Sequence, residues 1–133
     1  MKVVGDKAVL KEAQRALIFI DESLTSPHGL GGIDTVEIGM RAMATTLSSL
    51  FDFPETVRDE IDTVDKALAY MALDGDVDKD AARQAAALLY GIHRASYQGL
   101  GDDDLESLEE ARQKLYGHLE ALITRAEDEI SRG

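Results

Sequence analysis

The sequence predicts an all-α fold: an antiparallel bundle of about five helices, built as a single helical domain over residues 1–133. Three observations carry this. Apolar residues recur at alternating steps of three and four in five segments, which places them on one face of a helix. The gaps between those segments are short and hold turn chemistry, so consecutive helices run antiparallel. No stretch alternates with period two over a useful length, so no strand is expected.

The first segment presents Leu10, Ala13, Leu17, Ile20 and Leu24 and stops at Thr25-Ser26-Pro27-His28-Gly29, followed by Gly31-Gly32. Asp34 is placed to cap the second. Its stripe is Ile33, Val36, Met40, Met43, Leu47 and Leu50, and Phe53-Pro54 ends it, because a residue before proline avoids the helical region. Beside that stripe runs a second one of small residues, Gly39, Ala42, Thr46 and Ser49, which lets a neighbouring helix come close. Pro54 suits the first turn of a third helix, with Glu55 at its positive end and Val57, Ile61, Val64, Leu68 and Met71 inward. Asp74-Gly75-Asp76 breaks the chain. The fourth helix turns Ala81, Ala85, Leu88, Ile92 and Ala95 inward and closes at Gly99-Leu100-Gly101. Asp102 to Asp104 cap the fifth, which presents Leu105, Leu108, Leu115, Leu119, Leu122 and Ala126.

Composition narrows the function classes. The 133 residues carry 26 acidic against 14 basic side chains, a net charge of −12, and no cysteine. Disulfide scaffolds, thiolate catalysis and sulfur-based zinc sites are excluded. An acidic surface repels phosphate, so nucleic acid is disfavoured as a partner. There are 15 Asp to 11 Glu and 8 Arg to 6 Lys. An Asp-rich, Lys-poor surface is a halophile's means to solubility. Met1 to Leu10 holds Lys2, Asp6 and Lys7 and no apolar run suited to a signal peptide, and no window is apolar enough to span a membrane. The expectation is a soluble, cytoplasmic protein without membrane contact.

Several motifs touch on chemistry. The run Asp74 to Asp80 superficially resembles a calcium loop, but the positions that need Gly and a bidentate Glu hold Lys79 and Ala85. It reads instead as a solvated turn whose last aspartates cap the fourth helix. Asp59, Asp62 and Asp65 on the third helix, with Glu106, Glu109 and Glu110 on the fifth, resemble the paired acidic residues of the all-α nucleotide pyrophosphatases of the MazG type. That resemblance implies magnesium-dependent nucleotide hydrolysis, although about forty residues separate the two groups here and the family's spacing is not reproduced. Arg112 followed by His118 is similar to the Arg–His spacing of HEPN-type RNases, with Gln113 as the polar residue after the Arg, which implies RNA cleavage. The two side chains stand about 120° apart on a continuous helix. Arg58 to Leu68 looks like the first helix of an AroQ chorismate mutase, but only Arg83 and Arg94 follow soon after, fewer basic residues than that active site needs. No His-Glu-x-x-His or di-iron Glu-x-x-His pattern occurs. The sequence therefore names no catalytic residue, no metal ligand, no cofactor and no small-molecule ligand.

Two features remain. Arg112 falls between Leu108 and Leu115, inside an apolar stripe, where a charge is costly unless paired. A carboxylate of another helix or another subunit is expected to meet it. The second is Ala81 to Gly101, a stretch with no acidic residue in a chain of net −12. Arg83 and Arg94 give it a charge of +2, and Tyr90, His93, Arg94 and Tyr97 share a face by their spacing. Tyr and Arg are what interface hot spots favour. Arg83, Tyr90, His93, Arg94 and Tyr97 are thus the candidate partner-binding residues. The function expected is a non-enzymatic interaction or assembly protein, a homo-oligomer and most simply a homodimer. The alternative is an enzyme, a metal-dependent nucleotide hydrolase or a HEPN-like RNase.

Overall fold

The computed structural model describes residues 1–23, 32–98 and 101–132, with the side chains of 23, 32–36, 95–98 and 105 left aside. The predicted turns around residues 25–31 and 99–100 lie outside it, as do the side chains of Asp34 and Tyr97. The chain forms α1 (Lys7–Ser23), α2 (Gly32–Leu50), α3 (Glu55–Arg58), α4 (Val64–Leu73), α5 (Lys79–Gln98) and α6 (Asp102–Arg132). It is an all-α bundle with no strand among the described residues. No described helix is long and apolar enough to cross a membrane.

Four long helices form a ring. α1 packs on α2 and α6, α5 packs on α6, and α4 wedges between α5 and α2. Inside it the predicted stripes meet: Ile20, Met40, Met43, Leu47, Leu68, Leu88, Ile92 and Leu115 are all fully buried. Aliphatic and Met side chains supply nearly all this packing, as an aromatic content of 5% requires. Phe51 and Phe53 are the exceptions, and Phe53 stacks at a tilt on Tyr70 of α4 with ring centroids 5.7 Å apart.

Two differences from the sequence reading matter. The third predicted helix is two helices. After the short α3, residues 59–63 leave the helical path, and Thr63 is extended at φ −139°, ψ 155° before α4 begins. The linking residues Asp59-Glu60-Ile61-Asp62-Thr63 crowd three acids and two β-branched side chains into one turn, a poor helix-forming stretch. Ile61 still reaches the core, so its spacing looked helical although the backbone is not.

The second is a strap formed by residues 1–6 along the end of α2. The amides of Val4 and Gly5 both donate to the carbonyl of Leu50, at 2.9 and 3.1 Å, and Asp52 donates to the Lys2 carbonyl at 2.9 Å. The strap thus satisfies a carbonyl that the helix end leaves without a partner. A Cβ on Gly5 would stand 3.0 Å from the Leu50 Cα, so only glycine fits so close. Asp6 ends the strap and caps α1, accepting from the Val9 amide at 3.0 Å. Asp78 caps α5 in the same way through the Asp80 amide.

Candidate functional site

α5 is one wall of the ring and turns one face outward. Ala81, Ala85, Leu88 and Ile92 are buried against its neighbours, while Arg83, Ala86, Ala87, Tyr90, His93 and Arg94 are exposed. Tyr90 is 71% exposed, the second largest exposure among the large apolar side chains described. One helix therefore has a packed face and an open face, and the open one holds the aromatic and cationic residues singled out in the sequence.

The path of α6 shapes that face. A Cβ on Gly91 would stand 2.4 Å from Leu108 Cδ2, so the missing side chain is what lets α6 come in so closely. Ala87, Tyr90, Gly91 and Arg94 with Asp104 and Ser107 then line a hollow of about 160 Å³. The structure brings Tyr90 and Arg94 together on this hollow. Arg83 and His93 are exposed but do not line it, and the Tyr97 side chain is outside the described residues.

Arg112 is buried and meets the carboxylate of another helix. Its guanidinium donates to Asp21 of α1 and, through two nitrogens, to Glu109 one turn back, with Nε to Oε2 at 3.0 Å. The bond from Arg112 holds the Glu109 carboxyl below the usual range. His118 turns elsewhere. Its Nε2 lies 3.0 Å from Asp80 Oδ2 at the start of α5, and that contact, with Gln84, keeps Asp80 low. The two residues of the Arg–His spacing thus face different helices.

Several acidic side chains of the third and fifth predicted helices are held in local ion pairs. Asp62 pairs with Lys66 at 2.8 Å, Glu110 with Lys114 at 3.1 Å and Glu109 with Arg112. Asp65 Oδ1 is buried without a hydrogen-bond partner. Among the described residues no three His, Asp or Glu side chains converge as a metal-holding group.

Two features escaped the sequence reading. One is an ionic knot in which the Met1 ammonium bonds to Asp76 at 2.7 Å and to Asp74 at 3.1 Å. Arg125 pairs with Asp76 at 2.7 Å, donates to the Met1 carbonyl and lies over the Phe51 ring at 5.4 Å. Burial raises the Asp76 carboxyl, but bonds from the ammonium and Arg125 outweigh it and hold the group low. The other is an outward-facing groove of about 510 Å³ between α1 and α2, with Phe19 and Ile38 at one end and Ala42 and Thr45 toward the other. The small-residue stripe was its only signal. Gly39 lies so close to α1 that a Cβ would stand 2.9 Å from the Phe19 ring.

Comparison of the chain with protein-family models, with curated proteins and with solved structures returned no match.

Proposed function

We propose that this chain is a non-enzymatic helical assembly protein that self-associates through the outer face of α5. The observation that carries the reading is the largely exposed Tyr90, two turns along α5 from the exposed Arg83, on a helix whose other face is already packed. Exposed Tyr and Arg on one open helix face are the composition that anchors interfaces. Charge supports a second copy as the partner. Residues 81–101 carry +2 and no acid, while the remaining chain carries −14, the difference between −12 and +2. The acidic surface of another copy is therefore attracted to this face.

Light scattering on the full chain at high micromolar concentration and moderate salt tests this. Wild type is expected to show a mass above the monomer. Tyr90→Glu combined with Arg83→Glu is expected to give a folded monomer with helical circular dichroism retained. A monomeric wild type, or a double variant of unchanged mass, would overturn the reading.

A further inference from the structure

We propose that the α-amine of Met1 is a modification site that governs the strap: unmodified, it holds residues 1–6 along the end of α2, and acylated, it releases them. The proposal rests on the ionic knot and is independent of self-association through α5.

The knot receives this amine donor for donor. A primary ammonium carries three N–H groups. Three carboxylate oxygens face it: Asp76 Oδ1 at 2.7 Å, Asp76 Oδ2 at 3.0 Å and Asp74 Oδ2 at 3.1 Å. The Asp76 side chain is 6% exposed and that of Met1 4%, so the central pair is shielded from water. Arg125 completes the site. It bonds to Asp76 Oδ1 at 2.7 Å and donates to the Met1 carbonyl, so the first residue is held at both ends of its backbone.

The rest of the strap depends on that hold. Its other ties are the bonds of Val4 and Gly5 to the Leu50 carbonyl, the bond of Asp52 to the Lys2 carbonyl and the pairing of Val3 with Phe51. The Lys2 and Val4 side chains stand exposed, so the segment buries little of its own surface. A segment with few buried contacts opens at low cost once an anchor is lost.

Acylation removes what the site recognises. Transfer from a thioester donor forms an amide C–N bond and breaks the acyl–sulfur bond. One amine proton leaves with the thiol and another goes to solvent. The product is neutral, keeps a single N–H and carries the added acyl group where the ammonium lay. Asp76 then faces Arg125 as its one remaining cation, a poor state for a buried carboxylate. The folded chain also guards its amine. Only the unprotonated nitrogen attacks an acyl donor, and the bond to Asp76 raises this ammonium above its usual value. Acylation therefore takes place while the strap is open and keeps it open.

Labelling of the full chain with an acetylating succinimidyl ester at about pH 7 tests the first half, with Met1 and the lysines read separately by peptide mass spectrometry. An accessible α-amine, with its ordinary value near 8, outreacts lysine near 10.4. Met1 is expected to label about tenfold or more slowly in the native chain than in urea, and Asp76→Asn is expected to restore fast labelling. Hydrogen exchange tests the second half, on chains made with a free or an N-acetylated Met1. Acetylation is expected to speed exchange of the Val4, Gly5 and Asp52 amides about tenfold or more, while the Leu88 and Ile92 amides of α5 stay protected. A Met1 amine that labels as fast in the native chain as in urea would overturn the proposal, as would strap amides that exchange alike in both chains. Should Asp76→Asn or the acetylated chain fail to fold, the ratio of native to urea labelling in wild type decides.

Discussion

α6 carries two arginines that hold the bundle in opposite ways. At Arg112 the cation is hidden and its carboxylates are wet: the guanidinium side chain is 6% exposed, Asp21 45% and Glu109 40%. At Arg125 the carboxylate is hidden: Asp76 is 6% exposed while Arg125 itself is 35% exposed. The difference teaches that the cost of losing an arginine depends on what it leaves behind. A half-exposed carboxylate regains water, whereas a buried one cannot.

The largest expected effect is therefore at Arg125. Arg125→Ala strips Asp76 of one of its two cations and the Phe51 ring of its covering guanidinium. It should cost about 3 kcal/mol in urea unfolding, the low end for a broken buried pair because the Met1 ammonium remains. Arg112→Ala should cost less, about 1–2 kcal/mol, because its partners rehydrate. Burial of Arg112 taken alone would argue for about 3–5 kcal/mol. Losses in the reverse order, followed by circular dichroism, would break the comparison.

The smallest effect is in acid. Asp76, Glu109 and Asp80 all titrate below their ordinary values in the folded chain. A depressed folded pKa means that the stabilisation is complete above the unfolded value, near pH 4, and is lost as pH falls through the folded one. Stability should decline below about pH 4, and the decline should be shallower in Arg125→Ala, where Asp76 has lost a cation. The Met1 ammonium has the opposite sign. Its pKa is raised, chiefly by the bond to Asp76. Its contribution is complete below its ordinary value near 8 and is lost as pH rises through the folded value. Midpoints of urea unfolding across pH would show both limbs, and an Arg125→Ala acid limb as steep as that of wild type would separate Asp76 from it.

Arg112 was legible in the sequence because it interrupts the Leu108–Leu115 stripe, a conflict that local spacing alone displays. Arg125 was not: spacing shows only its i,i+4 partner Glu129, whereas the backbone of Met1, Asp76 and the Phe51 ring are brought to it by the fold and no periodicity connects them. The same division holds elsewhere. The stripes of α1, α2, α5 and α6 follow from residues three and four apart. The break at Thr63 was hidden because Ile61 and Val64 face inward on either path. The open face of α5 was readable as an acid-free stretch with Tyr90. The α1–α2 groove was half readable: Ala42 and Thr46 marked a close approach, but Phe19 and Ile38 standing open at its end is a fact of packing.

The knot that joins strap, α4–α5 turn and α6 also bears on time. Its bonds connect positions 49, 75 and 124 residues apart, whereas Arg112 and Glu109 are three apart. Closing such long loops costs entropy before any contact forms, so the knot is expected to set after the transition state for folding. Interactions made that late govern escape from the native state rather than entry into it. In a denaturant chevron, Arg125→Ala should lower the barrier out of the native well, with unfolding faster and refolding close to wild type. The strap is then a latch on the lifetime of the fold.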